Sequence, residues 1–410
     1  MTREPAPAAA TAPERGSVGE VFRAFLRLGL TSFGGPIAHL GYFRDELVVR
    51  RRWLDDRAYG ELVALAQFLP GPASSQVGFA LGLLRAGPLG ALAAWLAFTL
   101  PSAILLVAFA YGAALLDNPV GDGIVAGLKI VAVAIVAQAV WGMARTLAPD
   151  ARRASIAVGA VVIALLAAGS PGQLAAIVLG AGAGLLLCRT SEDADAEAAA
   201  NLRAPVSRRA GTAALAVFAA LLVLLPITAA AVGTRLLDIA AGFYRAGALV
   251  FGGGHVMLPL LEAEAVAGGW VSADEFLAGY GAAQAVPGPL FTFAAYLGAL
   301  AAPGAAGILT AAVALVAIFL PGLLLMVGVL PLWNAVRTRP TARALIRGAN
   351  AAVVGILAAA LYDPVFVTAV VDPTSFALAS VCFVLLTAWR VPPWGVVLVG
   401  AFGGIVITLL

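Results

Sequence analysis

The chain has 410 residues, enough for two or three soluble domains, but its composition argues against a soluble protein. Hydrophobic residues make up 62% of it and charged residues only 11%, against about 45–50% and about 25% in an average globular protein. So few charges cannot cover a protein of 41.4 kDa in water, and a polytopic membrane protein is predicted. The net charge of +3 comes from arginines clustered between apolar runs, which is typical of membrane topology signals and disfavours nucleic-acid binding.

The apolar runs predict an all-α fold, because a transmembrane helix needs about 20 such residues. Predicted spans cover residues 88–115, 120–147, 211–233, 306–331, 348–363, 374–389 and 394–410. Two shorter runs, 154–169 and 172–188, meet at a Ser-Pro-Gly turn and predict a tight helical hairpin. Residues 1–19 are rich in Ala and Pro and lack a signal-peptide core, so we expect a disordered tail.

The sequence contains an internal repeat. Residues 25–36 match residues 243–254, with an arginine and a Phe-Gly-Gly turn in common. The motif Gln-x-x-Pro-Gly-Pro at residues 67–72 recurs at residues 284–289, and Trp53 matches Trp270 at nearly the same offset. We therefore predict a tandem duplication. The predicted units are a first repeat (20–188), a cytoplasmic linker (189–210), and a linking span followed by the second repeat (211–410).

Corresponding loops of the two halves carry charges of opposite sign. The loop after the first Phe-Gly-Gly turn is rich in arginine, whereas its counterpart, residues 261–276, has no Lys or Arg and four acidic residues. By the positive-inside rule the halves then sit in opposite orientations, with the N-terminus and the linker in the cytoplasm. This predicts two inverted-topology repeats, the plan of many secondary transporters. The segments expected to be broken or re-entrant helices are 20–43, 58–84, 242–260 and 276–300.

The Gly- and Pro-interrupted segments are the predicted substrate site. A helix that begins at a break in mid-membrane presents free N–H groups and the positive end of its dipole, which attract anions. The candidate residues at these turns are Gly34, Gly35, Gln67, Gly71, Ser74, Ser75, Gly252, Gly253, Gln284, Gly288 and Thr292. The hydroxyls add donors, and the two glutamines either cap freed backbone groups or contact the ligand. The alternative is that Gly and Pro serve only helix packing and kinks.

Charged and titratable side chains inside the apolar segments form a second set of candidates. Arg27 and Arg245 occupy matching positions just before the Phe-Gly-Gly turns. An arginine at membrane depth costs about 3 kcal/mol and is held by a partner or a polar cavity, unless it snorkels to the interface. Candidates for the pathway or for proton coupling are His39, Glu61, Lys129 and His255. For the histidines and Glu61, a solvated or interfacial side chain is the alternative.

The sequence has no metal, nucleotide or nucleophile motif, so no cofactor is predicted and an enzyme or ATP-driven pump is disfavoured. Taken together, the motifs resemble the chromate ion transporter family in its long, two-domain form. They are Phe33-Gly34-Gly35-Pro36 with His39, Arg50-Arg51-Arg52-Trp53-Leu54, Gln67-x-x-Pro70-Gly71-Pro72, Phe98-Thr99-Leu100-Pro101-Ser102, Phe251-Gly252-Gly253-Gly254-His255 and Pro287-Gly288-Pro289. One departure is Leu290-Phe291, where the first half has Ala73-Ser74.

The resemblance implies a bacterial inner-membrane protein that exports chromate in a process linked to the proton-motive force. Chromate is a tetrahedral dianion, which helix N-termini, hydroxyls and arginines bind without a metal. The leading hypothesis is a secondary transporter with its site at broken-helix ends between inverted repeats. A sulfate-type or organic anion transporter is one alternative, and an intramembrane enzyme or non-transporting scaffold is another. The expected partners are chromate or a related oxyanion, protons and the lipid bilayer, with a homodimer left open.

Overall fold

The computed structural model describes residues 16–113, 118–167, 169–188, 206–336 and 339–410. Every regular element in those residues is helical. Six helices among them are long and apolar enough to cross a membrane, namely Ala73–Gly112, Pro119–Leu147, Ser170–Leu187, Arg208–Val232, Ala305–Leu332 and Pro340–Ala369. The chain is a multi-pass α-helical membrane protein, as predicted. Most of the predicted tail and linker lies outside the described residues, and the first helix begins two residues inside the predicted tail, at Val18.

In the described part of the first half, the helices are α1 (Val18–Thr31), α2 (Gly35–Phe43), α3 (Asp56–Phe68), α4 (Ala73–Ala113), α5 (Pro119–Leu147), α6 (Ala151–Leu166) and α7 (Ser170–Leu187). A π-helical turn, Arg44–Arg50, continues α2. The predicted broken segment 58–84 and the predicted span 88–115 meet end to end within α4, where Ala86 and Gly87 leave the helical conformation. Helices α6 and α7 form the predicted hairpin.

In the described part that follows, the helices are α8 (Arg208–Val232), α9 (Arg235–Leu249), α10 (Met257–Ala265), α11 (Ala273–Ala283), α12 (Phe293–Leu300), α13 (Ala305–Val329), α14 (Trp333–Val336), α15 (Pro340–Ala360), α16 (Val367–Ala369), α17 (Pro373–Thr387) and α18 (Pro393–Leu409). Short 3₁₀ turns precede α10, α12 and α14, and a π-helical turn precedes α16. Helix α8 packs on α9 and α13, and its most apolar stretch is only 6% buried, so most of its surface is left for lipid.

The two halves repeat the same order of helices. Helices α1, α2 and α3 correspond to α9, α10 and α11, and the two parts of α4 correspond to α12 and α13. The packing also repeats, because the ring of Phe25 lies 6.4 Å from that of Trp53, and the ring of Phe243 lies 5.8 Å from that of Trp270. These four residues are the matched aromatic positions of the sequence repeat.

The halves exchange their C-terminal hairpins. Helices α6 and α7 pack on α15 of the second half, while α17 and α18 pack on α5 of the first half. At both interfaces, glycines let the helix backbones approach closely. A Cβ added to Gly184 would lie 2.7 Å from Cα of Gly348, and a Cβ added to Gly404 would lie 2.6 Å from Cα of Gly127. Contacts that are reciprocal in this way relate the halves by an approximate twofold axis.

The predicted acidic loop 261–276 is partly wrong. Helix α10 continues through Ala265, so Glu262 and Glu264 lie on a helix, and Glu264 is buried. Glu264 can be buried within the helix because its carboxylate forms an ion pair with Arg245. The loop proper is the shorter segment between α10 and α11.

Candidate functional site

The two Pro-Gly-Pro turns each bond to the opposite half. The amide N–H of Gly71 donates to the carbonyl oxygen of Val250 at 2.7 Å, and the amide N–H of Gly288 donates to the carbonyl oxygen of Ser32 at 2.9 Å. Ser32 and Val250 are equivalent positions, directly after α1 and α9. The interruption in each half is therefore closed by the backbone of the other half, and both turns lie between the repeats.

Both turn glycines are required by conformation and by space. Gly71 has φ of 119° and Gly288 has φ of 101°, values that favour glycine. A Cβ on Gly71 would lie 3.0 Å from Cα of Gly322, and one on Gly288 would lie 2.9 Å from Oγ of Ser102. Ser102 and Gly322 each follow the proline inside a long helix, α4 and α13. Each turn thus packs against the proline bend of the opposite half.

Four helical starts meet at the centre of the molecule. Helix α2 begins at Gly35 and α4 at Ala73, while the 3₁₀ turns that lead into α10 and α12 begin at Gly254 and Leu290. A Cβ placed on Gly254 would lie 3.5 Å from Cγ of Pro36 and 3.7 Å from Leu290. The N–H groups of a helix's first turn have no acceptor within that helix. The positive ends of the four helix dipoles therefore lie close together here.

Buried polar side chains surround these helical starts on the first-half side. Nδ1 of His39 lies 3.4 Å from Oγ of Ser74, and Oγ of Ser102 lies 3.1 Å from Oγ1 of Thr292. We define the polar cluster as Ser32, His39, Ser74, Ser75, Thr99, Ser102 and Thr292, all at most 2% exposed. Four of its buried polar atoms have no hydrogen-bond partner: Ser32 Oγ, His39 Nε2, Ser75 Oγ and Thr99 Oγ1. Because such atoms are normally paired, the polar cluster has unused hydrogen-bonding capacity.

The second-half side of the centre is arranged differently. Nδ1 of His255 lies 2.7 Å from the hydroxyl of Tyr280. The amide nitrogen of Gln284 is buried without a partner, and so is Oδ1 of Asn350, close to Gly252. Gln67, the counterpart of Gln284, is exposed at the end of α3. The two glutamines therefore do not have the same surroundings, and only Gln284 faces the interior.

The two matched arginines also differ. Nε and Nη2 of Arg245 donate to Oε1 and Oε2 of Glu264 at 2.9 and 2.5 Å. The hydroxyl of Ser170, at the start of α7, donates to the same Oε1 at 2.6 Å. Arg27 is exposed on α1 and makes no ion pair with any residue that the structure describes. Although Arg27 and Arg245 occupy matching positions in the sequence repeat, their surroundings in the structure differ.

Lys129 and Glu61 bond to second-half residues outside the polar cluster. Nζ of Lys129 donates to Oδ1 of Asp274 at 2.8 Å, and Nε1 of Trp333 donates to Oε2 of Glu61 at 2.8 Å. Across the residues that the structure describes, no group of three or more His, Cys, Asp or Glu residues is placed to hold a metal ion. The chemistry available at the centre is that of hydroxyl, imidazole and backbone N–H donors.

Comparison with known proteins decides the family. The family model described as chromate transporter matches residues 19–186 and 237–405, one match in each half. The chain belongs to the chromate transporter family. It is 30% identical over 380 residues to the chromate transport protein of Pseudomonas aeruginosa, covering 91% of this chain and 88% of that one. It is 30% identical over 351 residues to the probable chromate transport protein of Synechococcus elongatus, covering 84% of each.

A third member of the chromate transporter family, the chromate transport protein of Cupriavidus metallidurans, is 28% identical over 375 residues, covering 89% of this chain and 87% of that one. No solved structure matches the chain. The sequence had not singled out Ser32, Thr99 and Ser102 as site candidates. Thr99 and Ser102 lie in a motif that carries the family resemblance, which was the available signal. Ser32 had none, because its role comes from a contact with Gly288 of the other half.

Proposed function

We propose that this member of the chromate transporter family exports chromate from the cytoplasm across the bacterial inner membrane, coupled to the proton-motive force. The proposed anion site consists of the polar cluster and the four helical starts around it. The main support is the reciprocal pair of hydrogen bonds from Gly71 and Gly288, which bring the helical starts of both halves together. Family membership supports chromate transport across a membrane, and the names of the relatives agree with it.

The chemistry of the polar cluster suits a tetrahedral dianion. Its hydroxyls, the His39 imidazole and the first-turn amides supply donors from several directions, and no acidic residue belongs to it. The unpartnered atoms of Ser32, Ser75 and Thr99 are the positions at which anion oxygens would be bound. The unpartnered Nε2 of His39 makes this residue our candidate for carrying a proton during the cycle.

Export of a dianion is favoured by the membrane potential itself. Moving one elementary charge through 100 mV is worth about 2.3 kcal/mol, so two negative charges leaving a cell that is negative inside gain about twice as much. A coupled proton would add its own gradient to this driving force. The proposed direction is therefore the one that an energised inner membrane supports.

Transport into everted membrane vesicles tests the proposal. We expect saturable uptake of labelled chromate into vesicles from cells that produce the chain, and an increase in this uptake when an inside-positive potential is imposed. Empty vesicles and vesicles containing the Gly71→Leu variant are the controls. Absence of saturable chromate flux, with and without a potential or pH gradient, would overturn the proposed function.

A sulfate-type or organic anion transporter is the second candidate, because the donors of the polar cluster are suited to any tetrahedral dianion of similar size. Competition separates the two. We expect unlabelled chromate to inhibit flux at lower concentration than sulfate or small organic anions. The opposite ranking would make sulfate or an organic anion the substrate, and thermal stability that no anion changes would favour a scaffold.

A further inference from the structure

Both halves carry an arginine and a glutamate at matched positions. Arg27 is followed after 19 residues by Glu46, and Arg245 is followed after 19 residues by Glu264. The two arginines and the two glutamates are related by the same repeat offset as the Phe-Gly-Gly turns. The duplication has therefore placed one potential ion pair in each half, between the helix before the turn and the helical segment after it.

In the second half this pair is closed. The guanidinium of Arg245 holds both carboxylate oxygens of Glu264, whose side chain is only 9% exposed. Glu264 is the one acidic residue buried in the part of the chain that the structure describes. Ser170 belongs to the hairpin of the other half and bonds to the same carboxylate, so the closed pair also ties the two halves together.

In the first half the equivalent pair is open. Glu46 accepts instead from Nη1 of Arg50 at 2.9 Å and from Nε of Arg51 at 2.7 Å, while Arg27 is exposed. The side chain of Glu46 is 11% exposed, close to the 9% of Glu264, so the two glutamates are similarly buried but are held by different arginines. The second half has Gly268 and Gly269 at the equivalent positions, so Glu264 has no such local competitor.

We propose that the two ion pairs close alternately during transport. Arg245–Glu264 is closed in the present conformation, and Arg27–Glu46 closes when Arg245–Glu264 and its bond to Ser170 open. Inverted repeats reach their two facing states by rocking one unit against the other, so the conformation seen in one repeat becomes that of the other repeat. Glu46 and Glu264 act as positioning residues, and this inference rests on the two-repeat fold, not on chromate as the substrate.

The groups around Glu264 support its role as the switching partner. Arg245 on α9 and Ser170 on α7 contact its carboxylate. On the other elements packed against α10, His255 bonds to Tyr280 of α11, and Asp274 of α11 bonds to Lys129. The other acidic residue on α10 is Glu262. The other cation among these groups, Lys129, is bonded to Asp274.

Crosslinking of paired cysteines tests the alternation in the full-length chain. The background carries Cys188→Ala and Cys382→Ala, which remove both native thiols. The reporter is the double variant Arg27→Cys, Glu46→Cys, treated in proteoliposomes with a short bifunctional thiol reagent. We expect little crosslinking at rest and a severalfold higher yield during anion flux. The double variant Arg23→Cys, Glu46→Cys, one helical turn away on α1, is the matched control and should stay at its resting yield.

Substitution of the opposite glutamate sharpens the test. Added to the reporter, Glu264→Gln should raise crosslinking at rest severalfold, because the second-half pair no longer holds. Asp274→Asn, which breaks the Lys129–Asp274 ion pair between the halves, should leave the yield unchanged. The charge-swapped variant Arg245→Glu, Glu264→Arg preserves a pair and should restore the low yield even where Glu264→Gln folds poorly. A reporter that never crosslinks during measurable flux, or that responds equally to Glu264→Gln and Asp274→Asn, overturns the proposal.

Discussion

Pro36 and Gly254 occupy equivalent positions in the two repeats and face each other at the centre of the molecule, with Cγ of Pro36 3.5 Å from the position of a Cβ on Gly254. Two equivalent residues in contact lie on the axis that relates the repeats. The start of α2 and the 3₁₀ turn before α10 therefore flank this axis, and each Pro-Gly-Pro turn bonds to the opposite half. The proposed anion site would therefore be lined by residues of both halves.

Replacement of a turn glycine should impair transport more than it impairs folding. Gly71→Ala forces a positive φ on an alanine, which costs about 1–2 kcal/mol, and pushes its Cβ against Gly322. Gly233→Ala is the matched control, because Gly233 also has positive φ but has open space around it at the end of α8. We expect Gly71→Ala to lower the melting temperature in detergent more than Gly233→Ala, because only its Cβ meets another backbone, and flux through the folded protein to be lost only in Gly71→Ala. Equal flux in the two variants would contradict a role for the turn.

Removal of a single hydroxyl from the polar cluster should weaken anion binding. A hydrogen bond to a charged group contributes about 1.5–3 kcal/mol, so Ser75→Ala should weaken chromate binding about 10- to 100-fold. The measurement is the increase in melting temperature with chromate concentration. Ser155→Ala is the control, because that hydroxyl is exposed on α6 and bonds to its own helix. Chromate stabilisation that is the same in both variants would place the site elsewhere.

The glycine contacts between hairpin and long helix should tolerate no side chain. Gly184→Ala places a Cβ 2.7 Å from Cα of Gly348, and overpacking of this kind costs about 1–3 kcal/mol. Gly182→Ala lies on the same helix with nothing near its Cβ, so it should be neutral or slightly stabilising, because alanine favours helix. Thermal unfolding of the two variants in detergent checks this. A melting temperature no lower in Gly184→Ala than in Gly182→Ala would show that the helices move apart easily.

The cap of α6 should give a pH-dependent contribution to stability. Oδ1 of Asp150 accepts from the backbone N–H of Arg153 at 3.0 Å, and this bond, together with one from the Arg153 guanidinium, lowers the pKa of Asp150 below its usual range. Asp150→Ala should cost about 0.5–2 kcal/mol at pH 7. The charged carboxylate contributes its full stabilisation when the pH is above the pKa of the unfolded state, about 3.9. This contribution is lost as the pH falls through the lower pKa of the folded state.

Asp150→Asn separates the cap from the charge. Asparagine keeps the side-chain acceptor, so this variant should stay close to the original protein at pH 7, with a small difference because Asp150 is half exposed. The difference between the two should shrink as the pH falls below the unfolded carboxyl value of about 3.9 and disappear below the lower pKa of the folded state. Melting temperatures measured across this range are the test. A difference that grows toward acid pH would contradict the assigned sign.

Most of the long spans were predictable within a few residues, because apolar runs end at charges, Gly or Pro. The exception is the predicted span 348–363, whose helix begins eight residues earlier, at Pro340. The predicted span 120–147 is helix Pro119–Leu147, and the predicted span 211–233 is helix Arg208–Val232. The interruptions were also visible, since Pro-Gly-Pro cannot continue a helix. What the local sequence does not contain is the partner of each interruption. Gly71 meets Val250 and Gly288 meets Ser32 only through tertiary packing.

The buried ion pair was missed for a different reason. Glu264 stands among other acidic residues and was interpreted as one of several topology charges in a loop. Its burial depends on Arg245, which lies 19 residues earlier on another helix. The signal that was available is the repetition of this separation in Arg27 and Glu46.

The exchange of hairpins has a consequence for how such a chain arose. Neither half covers its own long helix, because α6 and α7 pack on α15 while α17 and α18 pack on α5. A polypeptide containing one repeat would leave a glycine-lined surface bare until it met a second copy inserted the other way up. A single repeat therefore needs an inverted second copy to cover it, and in this chain the two copies are connected through α8.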